Sequence, residues 1–289
     1  MELGTRKPCV AGQFYDSNPE RLANQIKQLL EDVEKSDDAQ KTVRALILPH
    51  AGYTYSAETA VSALARAVDG KYKEIMVIAP SHRVPFQGLA VADYESYSTP
   101  LGNMEVDEVA INILMECENE FISNLPQAHQ NEHSLEVELP LLQQIIGNIK
   151  LIPLVAGFVT LGCARQLVEV LKQFWKPEIL WVISSDFTHY GSPFRYVPFK
   201  DDIQENLREL DMNAVKHILD IDLDGFDAFL EKTGATICGA GPIKILLATL
   251  AAAAADGEDI SGELTDYTTS GVLTGDFSHC VSYAGMAFY

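Results

Sequence analysis

VRALILPH, residues 43–50, decides how the rest of the chain is read. It is a short apolar run, β-branched in part, that stops abruptly at Pro-His, which is the pattern of a buried strand ending at a polar rim. The same pattern returns in EIMVIAPSH (74–82) and in EILWVISSDFTHYG (178–191), where the run ends in an Asp and a His, and KLIPLVAG (150–157) is a further apolar strand. CVSYAGMAFY (280–289) supplies a last apolar strand. Between the strands lie helical patterns. A helix entered through Ser17-Asn-Pro-Glu20, with Pro19 at its first position, carries Leu22, Ile26, Leu29, Leu30 and Val33 on one face. A second helix is expected over Ser56–Val68, and a third over 134–146, kinked or delayed by Pro140. The run Lys35–Lys41 reads as a polar loop, and the more polar 194–237 as a helical lobe or lid. Strands that are apolar throughout and separated by helices need cover on both faces. The expectation is therefore one α/β domain over residues 1–289, a three-layer α/β/α fold with a mostly parallel or mixed central sheet.

Composition narrows the function classes. A chain of 289 residues with 47% hydrophobic content can bury a sizeable core. A net charge of −20 repels phosphate backbones and anionic lipid headgroups, so neither nucleic acid nor a membrane surface is an expected partner. The opening MELGTRKPCV lacks the apolar centre of a signal peptide, and the Ala-rich Ile245–Ala255 covers about half a bilayer and reads as a buried helix. A cytoplasmic location is expected. The five cysteines show no paired spacing and are expected as free thiols unless one binds a metal.

The chemistry collects where strands end. His50, Ser81-His82, and Ser184-Ser185-Asp186 with His189 each follow an apolar run. In open α/β sheets ligands bind beyond the carboxyl ends of the strands, so parallel strands would bring these groups to one rim. Cys238 in TICGAGPIK stands just before a helix whose first turn suits Pro242, where the helix dipole is expected to favour the thiolate. Two imidazoles with one thiolate suit copper, zinc or iron, and suit magnesium or calcium poorly. A lone histidine after a strand is more often a hydrogen-bonded structural residue, and a lone cysteine a small buried apolar one. His129, His217 and His279 have no supporting context and read as structural or exposed.

The longer motifs carry a resemblance. PHAGYTYS (49–56), APSHRVPFQG (79–88), STPLGNMEVD (98–107), NEHSLEVELP (131–140), VISSDFTHYG (182–191), TICGAGPI (236–243) and VSYAGMAF (281–288) resemble the Memo family, in family order and over nearly the whole chain. AGQFY near the start is also similar, with Phe14 where some members carry Trp, and Arg83 stands where some carry His. The resemblance implies a fold like that of class III extradiol dioxygenases of the LigB type. It implies metal ligation by His50, His82 and Cys238, with Asp186, His189 and His133 in the same pocket as catalytic candidates. Iron or copper is the implied cofactor, zinc a further one, with redox activity in some members. A thiolate where extradiol enzymes use a carboxylate separates this set from ordinary ring cleavage. The implied partners are a small-molecule or peptide ligand in the cleft and, for relatives of the AmmeMemoRadiSam system (in which this type is protein B), a radical-SAM protein and an AMMECR1-like protein. A homo-oligomer is expected by analogy.

Three function classes follow. A metal-dependent oxidoreductase would use His189 and His133 as proton carriers. A binding or scaffold module would take a phosphotyrosine-type or other anionic ligand in the same cleft, with Arg83 and Arg195 as helpers. A zinc-dependent hydrolase would use Glu132 or Asp186 as general base.

Overall fold

The computed structural model describes residues 4–33 and 42–289; the expected loop at 35–41 lies outside them. Among the described residues twelve strands follow in chain order: β1 Thr5–Arg6, β2 Ala45–Leu48, β3 Glu74–Pro80, β4 Leu89–Val91, β5 Ser96–Thr99, β6 Gly102–Glu105, β7 Ile122–Asn124, β8 Lys150–Ala156, β9 Ile179–Ser184, β10 His189–Gly191, β11 Gly262–Thr269 and β12 His279–Phe288. Nine of them form one sheet in the order β10-β12-β2-β9-β3-β8-β4-β7, with β11 also on β12; β1, β5 and β6 form a small separate sheet.

The centre of the large sheet, β2-β9-β3-β8, is parallel. β12 joins β2 antiparallel and β4 joins β8 antiparallel, so the sheet as a whole is mixed. All residues of β2 and β9 are buried, as a strand covered on both faces requires. The helices Pro19–Asp32, Tyr53–Leu64, His133–Glu136 and Glu138–Ile145 form one covering group, and Leu161–Leu171, Leu223–Thr233 and Ala240–Ala255 another. This is the three-layer α/β/α arrangement read from the strand pattern. The expected lobe at 194–237 contains the helices Ile203–Leu219 and Leu223–Thr233, which pack on each other and, respectively, against β11 and against the helix Ala240–Ala255.

Local differences have plain causes. The first helix is capped by Asn18, whose side chain accepts the Arg21 N–H, and not by Ser17; Pro19 takes the first helical position as its missing N–H allows. The second helix starts at Tyr53, three residues ahead of Ser56, and ends in a 3₁₀ turn at Ala65–Ala67. The helix expected over 134–146 is divided at Val137. Pro140 has no N–H for the carbonyl four residues earlier, and the interruption falls within that turn. Among the described residues, no helix is long and apolar enough to cross a membrane.

Register positions the site. Leu48 pairs with Ser184, and Ile183 pairs with both Ile47 and Ile78, so β2, β9 and β3 finish together. Pro49-His50, Ser185-Asp186 and Ser81-His82 therefore leave the sheet at one edge. The N-terminal segment is drawn under this edge by a buried ion pair between Arg6 and Glu136. Glu136 also accepts the backbone N–H groups of Cys9 at 2.7 Å and Val10 at 2.9 Å and the Tyr15 hydroxyl at 2.7 Å. Arg6 reaches the carbonyl oxygens of Glu132 at 2.6 Å and His129 at 3.2 Å.

Burial alone would raise the Glu136 carboxyl, but Arg6 and the N–H donors hold it below its ordinary range. The stability this gives is present above the unfolded carboxylate range and is lost as pH falls through the folded value. Glu136→Ala, which leaves Arg6 buried and unpaired, is expected to cost about 3–5 kcal/mol in urea denaturation. Glu136→Gln is expected to flatten the acid limb of the stability curve. Unchanged stability in both variants would contradict this placement.

Candidate metal centre

His50 leaves the end of β2 with its backbone N–H held by Asp186 Oδ1 at 2.8 Å. Its Nδ1 lies 2.7 Å from Ser184 Oγ, the last residue of β9, and its Nε2 lies 3.3 Å from Cys238 Sγ. The ring is buried, and burial, followed by the His82 and His133 rings, holds its pKa well below the ordinary imidazole value. These surroundings favour the neutral imidazole at His50. The neutral ring is the form that ligates a metal.

Cys238 enters from the turn that opens the helix Ala240–Ala255. Its sulfur receives the Asp186 N–H at 3.2 Å, and the Gly239 N–H is held by Ser185 Oγ at 3.1 Å. The turn lies so close to β9 that a Cβ at Gly239 would stand 2.2 Å from Ser185 Cβ and 2.7 Å from the Ser184 carbonyl oxygen. The thiolate expected from the helix dipole is not favoured in the metal-free protein. Burial and then the Asp186 carboxylate push the thiol well up, against smaller pulls from the Asp186 and Gly239 N–H groups and the Ser185 hydroxyl. A cation at this position would reverse that balance, as metals do for coordinating thiols.

His82 and His133 are organised by one carboxylate. Glu132 Oε1 lies 3.0 Å from His82 Nδ1 and 3.2 Å from His133 Nδ1, and Oε2 accepts the His82 backbone N–H at 2.6 Å. The Ser134 N–H adds a further donor at 3.1 Å. Burial would raise this carboxyl, but the hydrogen bonds from His133 and His82 carry it far below the usual carboxylate range. An ionised acceptor at both Nδ1 atoms fixes the Nδ1–H tautomers and leaves each Nε2 lone pair free. The ring centroids stand 5.3 Å apart for His50–His82, 5.7 Å for His50–His133 and 4.6 Å for His82–His133.

The donor set fits a metal. Ligand atoms of His50, His82 and Cys238 all lie within 4.8 Å of one another. Nitrogen and sulfur sharing one tetrahedral ion stand about 3.5 Å apart, given bonds of about 2.0 and 2.3 Å. The 3.3 Å between His50 Nε2 and Cys238 Sγ is close to that span. His82, Glu132 and His133 also cluster, but Glu132 is already occupied by ring and backbone donors, so that group reads as support for the first.

Asp186 is buried beside the pocket and interacts electrostatically with His189, His82 and His133; burial outweighs these and raises its carboxyl. The His189 ring is held through Nδ1 by the carbonyl oxygens of Phe187 and Thr236, both at 3.0 Å, and meets Phe194 edge-on at 5.1 Å. His133 meets Phe14 edge-on at 5.2 Å. All six residues singled out by sequence, His50, His82, Cys238, Asp186, His189 and His133, thus stand in or beside one cluster.

Other candidates fall elsewhere. Glu132, considered as a general base, is buried behind the rings with both oxygens engaged, so it serves as their acceptor. Arg83 is exposed and donates to the Asn131 carbonyl; Arg195 is exposed after the 3₁₀ turn Ser192–Phe194. His129 is a core residue between Tyr97 and the Ala90 carbonyl, His217 pairs with Asp222, and His279 is exposed. The strand-end pattern points to Ser184 without giving it a role, and it does not reach Glu138. The one signal for Glu138 is a carboxyl set against the apolar stretch Leu139–Leu142, in a segment that also carries Glu136.

The family model described as Memo-like protein matches residues 6–287. A MEMO1 family protein of Thermoplasma volcanium is 32% identical over 97% of both chains. One of Methanopyrus kandleri is 30% identical over 98% of both, and the memo-1 homolog of Caenorhabditis elegans is 31% identical over 97% of this chain and 81% of its own.

Gly239→Ala is expected to displace Cys238 and weaken metal binding while the far-UV circular dichroism stays native. Glu132→Gln is expected to weaken it about 10–100-fold by loosening both rings. Metal titration followed optically checks both; wild-type affinity in either variant would refute the corresponding role.

Proposed function

The chain belongs to the Memo-like protein family, and from that premise we propose that it is a metal-dependent redox protein that holds one iron or copper ion through His50, His82 and Cys238. The observation that carries this reading is the convergence of two imidazoles and one thiol, running from the buried His50 to the exposed His82, at the carboxyl edge of the parallel strands. Thiolate and imidazole donors select borderline to soft ions, which separates this set from the oxygen-rich cages of magnesium and calcium. Such an ion, when bound, supplies one-electron chemistry and an open coordination position.

The surrounding residues do the rest. Ser184 and Glu132 orient the two ligand rings from behind, so the Nε2 atoms face the pocket. His133 and His189 are the proton carriers, each held through Nδ1 with Nε2 free, and imidazole is suited to transfer near neutral pH. Asp186 fixes the His50 backbone and bears negative charge toward the rings when ionised. Phe14 and Phe194 place apolar edges beside the two carrier rings, so an organic ligand with a flat apolar part suits the cleft better than a free inorganic ion. The zinc-hydrolase reading is weaker because Glu132, one of its two candidate bases, is consumed in holding rings.

Elemental analysis of protein purified without chelators is expected to find iron or copper near one equivalent per chain. His50→Ala and Cys238→Ala are each expected to lose most of it. Oxygen uptake with an added reductant should follow metal content. Metal content unchanged in both variants, or zinc alone with no oxygen uptake, would overturn the proposal.

A further inference from the structure

Glu138 carries an ionisable carboxyl into the apolar interior. It is fully buried, and among the described residues its Oε2 has no hydrogen-bond partner. Its Oε1 touches only Ser184 Oγ, at 2.8 Å. Glu132, six residues earlier, is also buried but collects ring and backbone donors on both oxygens. Two carboxyls of one segment thus face opposite circumstances. Glu132 is built to be ionised. An ionised Glu138 would have one donor for about four lone-pair sites in an apolar interior, which is very unfavourable.

The proton count around Ser184 leads the same way. Ser184 Oγ has three neighbours: His50 Nδ1 at 2.7 Å, the Ser134 carbonyl oxygen at 2.8 Å and Glu138 Oε1 at 2.8 Å. A hydroxyl has one proton to donate and two lone pairs to accept with. The Ser134 carbonyl can only accept, so it takes the hydroxyl proton. Both remaining contacts become hydrogen bonds only if Glu138 and His50 are donors. That demands a protonated carboxyl at Glu138 and the Nδ1–H tautomer at His50, with the Nε2 lone pair toward Cys238.

We propose that Glu138 is a permanently protonated carboxylic acid that acts as a positioning residue, donating to Ser184 and thereby locking the ligand tautomer of His50. Burial, which pushes the Glu138 carboxyl well above its ordinary range, agrees with that state. Removing the Glu138 donor frees a Ser184 lone pair and loosens the hydroxyl, which can then turn its proton to His50 Nδ1 and stabilise the wrong tautomer. The two ligand rings are consequently unequal. His82 is backed by an ionised carboxylate and is the stronger electron donor; His50 is backed by a hydroxyl and a neutral acid. The functional part of this inference rests on the metal reading above, while the protonation and tautomer do not.

The test therefore begins on metal-free protein. Infrared difference spectra between wild type and Glu138→Gln are expected to contain a carboxylic-acid carbonyl band at neutral pH; a carboxylate band in its place overturns the proposal. Nitrogen-15 histidine NMR, with His50 assigned by its loss in His50→Ala, is expected to find Nδ1–H at His50; the Nε2–H tautomer in wild type overturns it. Cobalt(II) titration, read by its thiolate charge-transfer absorption, adds the consequence. Glu138→Gln, whose amide can still donate to Ser184, should bind close to wild type, and Glu138→Leu about 10–100-fold more weakly. Equal loss in both variants, or none in Glu138→Leu, overturns the positioning role. If wild type binds no cobalt, iron or copper, the metal reading fails while the band and the tautomer still decide the state of Glu138.

Discussion

The site depends on one carboxylate shared by two rings. Glu132 is buried, sits 3.0 Å from His82 Nδ1 and 3.2 Å from His133 Nδ1, and takes the His82 backbone N–H at 2.6 Å. His82 lies on an exposed loop after β3, and Glu132 holds both its ring Nδ1 and its backbone N–H. Glu132 supplies the orientation, the tautomer and the charge together. It can do so because its own segment is anchored: Arg6 bonds the Glu132 carbonyl and pairs with Glu136 in the core. A buried ion pair of this kind adds little net stability over apolar packing but is costly to break, which makes it a firm anchor.

The sheet accomplishes the remaining convergence. Four parallel strands in aligned register bring His50, Asp186 and His82 out at one edge, and the helix Ala240–Ala255 delivers Cys238 to it from above β9. The ligands come from distant parts of the chain, yet His50 and His82 each sit two residues past a strand and Cys238 sits two residues before a helix. That placement limits the entropy lost when a ligand set is assembled, since the strands already hold the backbone. Ligand sites outside strand carboxyl ends are a general property of such sheets. Here the edge is also lined on its inner side by hydroxyl and carboxyl groups that set proton positions, from Ser184 through Glu138 and Glu132.

Much of this convergence is legible in the amino-acid sequence. Runs such as ALIL in β2 and ILWVIS in β9 are apolar on both faces, and only a doubly covered sheet accommodates them. His50, His82 and Asp186 follow such runs directly, so their common edge can be read from the pattern. The small sheet is not legible: β5 reads SYST and β6 GNME, with too few apolar residues to show a period. β11, GELTDYTT, escapes for the same reason: it does not alternate apolar and polar residues along its length. The protonation of Cys238 runs against the helix-dipole expectation because burial beside Asp186 outweighs a helix terminus, and burial is a tertiary property. The roles of Ser184, Glu132 and Glu138 depend on counting protons among neighbours that are far apart along the chain, and sequence order does not bring those neighbours together.

X-ray absorption on the metal-loaded protein addresses the central claim most directly. Two imidazole nitrogens near about 2.0 Å and one sulfur near about 2.3 Å around a single iron or copper are the expected shell. The sulfur contribution should vanish in Cys238→Ser while the imidazole pattern remains. A shell of oxygen atoms alone, or a sulfur signal that survives the loss of Cys238, would contradict the account.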